Sequence, residues 1–368
     1  MQSSDVFLVG GGPAGLAAAI ALRLKGYAVK VADCAVPPVE KACGEGLMPD
    51  SQAALRRLGV VVTPAHGFPF RGVRFLEGQT RVQGDFPNGS GFGVRRPILQ
   101  QLLIERAVQL GVELMWGVKG IDLRPEGLFV RNERVEAGLI VAADGHQSLL
   151  RRRAGLEAAR SLSFRYGFRR HYRVAPWSEY MELYWGDGFQ IYVTPVAPDE
   201  VCVVLMSSHA GFRLDNALAQ VPAVYRRLQG RPYSSNEMGA LTVSRKLKRV
   251  FKPGFALVGD SSGSVDAITG EGLSLSFKAA LSLAEAYAAG DLTMYQRAHE
   301  SFQVNPSRMA SLLLLLGSHP RLRRRVLAGF DYRPDVFTRL LAIHVGASSF
   351  LEFKPGQLLG FGREFLSA

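Results

Sequence analysis

The sequence predicts an α/β protein: a Rossmann-like dinucleotide-binding domain, an inserted antiparallel β-sheet domain for substrate, and a helical C-terminal segment. Three observations predict it. Asp5 to Val9 is a short apolar run that stops at glycine, and Gly10, Gly12 and Gly15 then supply G-x-G-x-x-G ahead of an alanine-rich stretch. From about Ser161 to Arg249 the pattern changes to short runs dense in aromatic residues and broken by turn residues. From Tyr295 onward the chain reads as helical and basic. At 368 residues it is long enough for two lobes with sizeable cores. The expected division is 1–60, 94–152 and 250–294 for the dinucleotide domain, 61–93 and 153–249 for the β-rich domain, and 295–368 for the tail.

Each element of the first domain has a physical reason. Asp5 to Val9 reads as a buried parallel strand. Gly10 makes the tight turn, Gly12 lets the backbone approach a pyrophosphate, and Gly15 lets helix and strand pack closely. Pro13 stands in the first turn of the helix Ala14 to Leu24, where its missing N–H costs nothing. That helix offers unpaired N–H groups and a partial positive charge to the pyrophosphate. A second strand, Ala28 to Ala32, ends at Asp33, roughly 20 residues on, where an acid takes ribose hydroxyls. A dinucleotide is expected here.

Composition narrows the class. With 47% hydrophobic and 21% charged residues the chain is an ordinary globular one. Cys34, Cys43 and Cys202 have no C-x-x-C spacing, which argues against a disulfide framework or a zinc site, and no metal is expected. The N-terminus lacks a basic region followed by a long apolar core, so the expectation is a cytoplasmic protein. A net charge of +12 without a nucleic-acid motif points away from nucleic acid. Attraction to anionic lipid, as a peripheral contact with a membrane face, or to an acidic carrier protein fits it, as does a soluble basic surface.

Pro37 to Asp50 reads as a loop, dense in glycine around Cys43-Gly44, followed by a helix from Ser51 to Leu58. Behind a cofactor strand, such a loop suits a flat ring lying against backbone; Cys43 itself reads equally as an inert small hydrophobe. Runs at Gly72 to Leu76 and Thr80 to Phe86 are an excursion into the second lobe. The chain returns with Arg96-Pro97, a helix to Leu110, and strands at Val112 to Trp116 and Leu139 to Ala142. The last strand ends in Ala143-Asp144-Gly145-His146, at the carboxyl end where such sheets bind ligands.

In the β-rich region, Phe164 to Val174, Tyr180 to Trp185, Phe189 to Pro195 and Glu200 to Ser207 read as successive strands. Tyr172, Tyr184, Phe189 and Tyr192 are candidates to line a pocket for an apolar substrate, or to fill the sheet's own core. His171 and His209 are its titratable candidates. A further motif follows at Phe255 to Leu273: a buried strand ending at Gly259-Asp260, then Gly270, Gly272 and Leu273 opening a helix whose positive end stabilises negative charge. In the tail, Met309 to Leu316 is too short to span a bilayer. It reads as a cap over the cofactor lobe or as an interfacial helix.

Three separated stretches, Gly10-Gly-Gly-Pro-Ala-Gly15, Ala143-Asp-Gly145 and Val258-Gly-Asp260, together resemble the FAD-dependent oxidoreductases of the para-hydroxybenzoate hydroxylase fold, with a glutathione-reductase-like FAD domain. Within them, Lys41-Ala-Cys-Gly-Glu-Gly46 and Val265-Asp-Ala-Ile-Thr-Gly-Glu-Gly272 resemble the geranylgeranyl reductase-like branch. The resemblance implies that Gly10, Gly12, Pro13, Ala14, Gly15, Asp33, Arg96, Asp144, Gly259 and Asp260 hold FAD, with Cys43-Gly44 and Gly270 to Leu273 flanking the isoalloxazine ring. The branch often has proline where Ala267 stands and glutamate where Asp33 stands.

The resemblance implies, first, a monooxygenase that hydroxylates an apolar, aromatic or polyketide-like substrate through a flavin C4a-hydroperoxide. NAD(P)H, docking transiently, or a separate reductase would then supply electrons. Its alternative is a reductase saturating a double bond of a lipid or isoprenoid, with Cys43 near the ring. A third expectation is an FAD-holding electron carrier that works with a protein partner. The Trp-x-Trp-x-Ile-Pro signature of flavin halogenases is absent.

Overall fold

The computed structural model describes residues 4–157 and 159–349; the end of the predicted C-terminal segment lies outside them. The first sheet has the order Phe251–Lys252, Phe255–Leu257, Ala137–Ala142, Ser4–Val9, Val29–Ala32, Glu113–Met115. All its neighbours are parallel except the edge hairpin of Phe251–Lys252 with Phe255–Leu257. Parallel strands are buried on both faces, and Val6, Phe7, Leu8, Val31, Leu139 and Val141 are fully so. The helix Pro13–Leu24 packs against Gly272–Ala288 and Arg96–Gln109.

The second sheet has seven strands, in the order Met238–Leu247, Ala159–Arg173, Glu200–Ser207, Phe189–Ala197, Tyr180–Trp185, Gly72–Glu77, Thr80–Asp85. It is antiparallel but for one pair. Gly72–Glu77 lies parallel to Tyr180–Trp185, because the chain passes through the cofactor lobe between the two.

Register fixes which side chains share a face, since residues opposite one another in the ladder point the same way. Arg169 pairs with Val204, Tyr192 with Val204, and Leu183 with both Tyr192 and Phe75. One face therefore carries Arg165, Arg169, His171, Cys202, Val204, Met206, Gln190, Tyr192, Thr194, Leu183 and Trp185. The other carries Phe168, Tyr172, Leu205, Phe189, Ile191 and Tyr184. That second face is covered by two short helices, Leu214–Ala219 and Pro222–Leu228, inside the stretch expected to be β-rich throughout. Pro222 at the first helical position and the apolar pair Val224 and Leu228 one turn apart explain the second of them.

Among the described residues the tail forms three helices, Leu292–Ser318, Pro320–Tyr332 and Pro334–His344. The start of the first sits on the cofactor lobe, where the Tyr295 hydroxyl donates to Leu257 O at 2.6 Å. The remainder departs from the expected cap over that lobe. Met309, Leu313, Leu316, Leu327, Phe330 and Phe337 pack instead on Val82, Leu183, Trp185, Tyr192 and Met206 of the second sheet, with Ile268 between the lobes. Each helix carries its apolar residues on one stripe, and that stripe is what it buries on the sheet. Among the described residues no helix is long and apolar enough to cross a membrane.

Candidate FAD and active site

A cleft of about 520 Å³ opens at the carboxyl ends of Ser4–Val9, Val29–Ala32 and Ala137–Ala142. Gly10, Gly12, Asp33, Arg96, Asp144 and Gly145 all line it. At Gly10 and Gly15 a side chain would collide with backbone. Gly10 has φ +113°, and a Cβ there would lie 2.3 Å from Ala143 O. One on Gly15 would lie 1.8 Å from Gly10 O. At Gly12 nothing stands closer than Arg96 Nη2 at 4.0 Å, so this glycine faces the open cleft. Gly12 is also the N-cap of Pro13–Leu24 and has no side-chain cap, which leaves the helix N–H groups for an anion.

The acids are held in place. Asp33 Oδ2 accepts from Gly11 N at 2.6 Å and Oδ1 from Ala35 N at 2.8 Å, so its carboxylate shapes the glycine turn as well as lining the cleft. Asp144 accepts from the Ser148 hydroxyl at 2.5 Å and from Leu150 N at 3.1 Å, anchoring the helix Leu149–Arg153. Gly259, at φ +63°, abuts Ala14, and Asp260 beside it is exposed.

Two residues absent from the sequence expectations tie these motifs together. Arg151, 1% exposed, donates to His146 O at 3.0 Å, Ser261 O at 3.2 Å and Glu157 Oε2 at 2.6 Å, linking the Asp144 and Asp260 motifs. Gln100 donates to Gly11 O at 3.2 Å and accepts from Val39 N at 2.9 Å. An arginine in a run of three after a loop, and a glutamine one turn into a helix, are local signals too weak to find either.

Gly270, in the left-handed region at φ +69°, closes the turn Ala267–Thr269, and Gly272 opens Gly272–Ala288. Both glycines are exposed, Leu273 is half-buried and Glu271 between them is buried. No side chain caps this helix, so its N–H groups also remain available. Burial pushes the Glu271 carboxyl above the usual carboxylate range, and His344 Nδ1 lies 3.4 Å from its Oε2.

The loop expected at Cys43-Gly44 meets the second sheet. Cys43 Sγ accepts from Glu45 N at 3.4 Å, and Cys43 O accepts from the Cys202 thiol at 3.7 Å. Burial holds that thiol well above its ordinary pKa, as an inert hydrophobe. Beside it, Glu45, His171 and Cys202 bring one ligand atom each within 4.8 Å of the others, the spacing of a metal cluster. Their hydrogen bonds give them another use. Arg169 Nη1 stands 2.9 Å from His171 Nδ1, and because guanidinium only donates, Nδ1 accepts. Nε2 then carries the ring proton and donates to Glu45 Oε2 at 2.6 Å. Arg169 also pairs with Glu40, and Arg95 with Glu200 at 2.8 Å. Against the upward push of burial, these arginines hold Glu40 and Glu200 below the usual carboxylate range. The buried guanidinium of Arg169 and the half-buried one of Arg95 make this a poor place for a cation.

Of the four aromatic candidates for substrate, Tyr172, Tyr184 and Phe189 lie on the far face, packed under the two short helices as sheet core. Tyr192 lies on the face toward the cofactor lobe, its hydroxyl donating to Ile268 O at 2.8 Å. His209 is exposed on the loop after Ser207. Next to the Ala267–Thr269 turn, the face toward the cofactor lobe presents Tyr192 and the apolar residues that pack with Ile268.

The comparisons agree with this geometry. Residues 3–182 match the family model described as an FAD binding domain. The chain has the fold of the FAD-dependent oxidoreductases of the para-hydroxybenzoate hydroxylase-like group. It is 27% identical over 319 residues to menaquinone reductase of Mycobacterium tuberculosis, covering 79% of this chain and 78% of that one. To digeranylgeranylglycerophospholipid reductase 2 of Methanothermobacter thermautotrophicus it is 29% identical over 231 residues, covering 54% and 56%. Among solved structures it superposes on p-nitrophenol 4-monooxygenase of Pseudomonas putida with a TM-score of 0.77, at 19% identity over 93% of this chain and 96% of that one. The cleft residues fit FAD, with glycine backbone and a free helix end for its pyrophosphate.

Proposed function

We propose that this oxidoreductase saturates a carbon–carbon double bond in an isoprenoid chain borne by a lipid or a lipid-like quinone. The observation that carries this reading is the apolar layer between the second sheet and the C-terminal helices, in which Leu183, Trp185, Tyr192 and Met206 face Met309, Leu313, Leu316 and Phe330. These side chains fill the layer themselves, so in this reading an isoprenoid chain, which offers only apolar surface, enters by parting the helices from the sheet. Similarity to two reductases, whose names state a quinone and an isoprenoid lipid, supports the same reading.

Bound FAD supplies two-electron transfer. The chain's own residues do the rest. Gly12 and the N-terminus of Pro13–Leu24 hold the pyrophosphate. The N–H groups at the start of Gly272–Ala288 hold negative charge in the reduced state. Reducing an alkene adds a hydride and a proton, and the buried carboxyl of Glu271, with its raised pKa, is the proton holder in this reading. Electrons come from NAD(P)H or from a separate reductase.

Hydroxylation is the competing reading, and the product separates the two. The FAD-loaded protein is given NADPH and menaquinone or a geranylgeranyl lipid, and the product is weighed while oxygen is followed. Gain of two hydrogens with no coupled oxygen uptake is the expected result. Gain of one oxygen atom with stoichiometric oxygen uptake overturns it in favour of the monooxygenase.

A further inference from the structure

We propose that the outer face of the helix Pro320–Tyr332 is a docking surface for an anionic lipid bilayer. Its inner face is fixed first. Arg323, 1% exposed, donates to Glu77 at 2.7 and 2.9 Å, while Val326, Leu327 and Phe330 are buried against the second sheet and its neighbouring helices. With 3.6 residues per turn, that inner stripe forces Arg321, Arg324, Arg325, Ala328 and Tyr332 onto one outward stripe. All five are exposed, Tyr332 by 79%.

The stripe has the composition of an interfacial surface. Arg321, Arg324 and Arg325 form no ion pair among the described residues, whereas the neighbouring Arg333 is taken by Asp335 at 2.9 Å. Asp331, at the edge of the stripe, is the acid nearest to them in sequence. Leu322 and, just before the helix, Leu315 are 38% and 45% exposed beside the arginines. Single exposed leucines need no explanation, but leucines and a tyrosine interleaved with three arginines that have no acidic partner among the described residues do. The net charge of +12 adds a long-range attraction to an anionic surface. At 13 residues the helix is about 20 Å long, short of the ~30 Å of hydrocarbon, so it lies in the plane of the headgroups.

An acidic protein would satisfy the arginines but leave the leucines without a partner; a bilayer satisfies both. The same helix is the roof of the apolar layer on its inner side. An apolar chain leaving the bilayer at this face therefore has a short route to that layer. This purpose rests on the lipid reading above, but the docking does not, and it is measured without turnover.

The test is co-sedimentation of the FAD-loaded chain with vesicles of phosphatidylcholine alone and of phosphatidylcholine mixed with phosphatidylglycerol. Binding to the anionic vesicles, falling steeply with salt, is expected. The triple variant Arg321→Gln/Arg324→Gln/Arg325→Gln should bind on the order of a hundredfold more weakly with an unchanged flavin spectrum. Tyr332→Ser, with the arginines intact, should bind a few-fold more weakly. Absence of binding at low salt, or equal binding by the triple variant, overturns the proposal, and capture of an acidic protein in place of vesicles would then explain the stripe.

Discussion

His171 Nε2 lies 2.6 Å from Glu45 Oε2, and both side chains are wholly buried although the residues stand 126 positions apart. Glu45 sits in the left-handed region at φ +58°, unusual for glutamate. It is held there by its carbonyl accepting from Val94 N at 2.8 Å and its carboxylate from Arg96 N at 3.0 Å. The contact thus ties the sheet lobe to the segment that carries Arg96. His171→Ala should destabilise the protein by about 3 kcal/mol, because a buried carboxylate loses its donor. His171→Gln, which still donates, should recover part of the loss. Chemical denaturation of the three proteins checks this, and an alanine variant as stable as the parent would refute it.

Gly12 and Gly15 should fail differently when replaced by alanine. At Gly15 the new methyl meets Gly10 O at 1.8 Å, so the fold itself should suffer. At Gly12 the nearest atom is 4.0 Å away, so Gly12→Ala should fold but hold FAD at least tenfold more weakly, having filled the anion's place. Circular dichroism and bound-flavin absorbance, read on the same samples, distinguish the two.

Acid should unfold the protein partly through His299. Burial lowers its pKa from 6.5 to about 4, with Nε2 at 3.0 Å from Ser262 Oγ and the rings of Tyr295 and Phe302 against it. The neutral ring's contribution is complete above pH 6.5 and disappears as pH falls toward 4. It is on the order of 3 kcal/mol. Stability measured through this window should drop less steeply in His299→Asn. Parallel curves for the two would show that this histidine is not responsible.

Glu271 should act in the opposite sense. Its pKa is raised by burial, so the protonated form is favoured in the folded state and its contribution is full below the ordinary value of 4.5. That contribution is lost as pH rises through the folded pKa. Glu271→Gln, a permanent mimic of the neutral acid, should be more stable than the parent at neutral pH and equal to it in acid. If Glu271 holds the reaction's proton, the same variant should also be slower and lose the fall in rate on the alkaline side of the pH profile. Unchanged stability at neutral pH would remove the basis for both statements.

Much of the cofactor lobe was legible because its signals are local. The three glycines, Pro13 and Asp33 fall within 24 residues of one another, and each has a conformational or steric reason of its own. The strands Tyr180–Trp185 and Glu200–Ser207 were readable to the residue, since turn residues bound them on both sides. What was not legible depends on register. Phe189 and Tyr192 are three apart, so strand alternation puts them on opposite faces, but only the pairing of Tyr192 with Val204, and of Val204 with Arg169, shows which of them shares the face of Arg169. Nor does sequence announce that Glu45, Arg169 and His171 converge, for nothing within either segment requires the other.

The parallel pairing of Gly72–Glu77 with Tyr180–Trp185 bears on how the chain is made. Gly72 must wait for Tyr180, 108 positions later, before its strand has a neighbour on that side. The first sheet waits longer still, because Ala137–Ala142 gains its outer partner only with Phe255–Leu257. Neither lobe can close while the first 250 residues are emerging from a ribosome, and both close within a short span afterwards. During synthesis the hairpin Gly72–Asp85 is an unpaired edge that other chains can join. Slower elongation or a chaperone at that stage should therefore raise the yield of soluble protein more than any change made within either finished lobe.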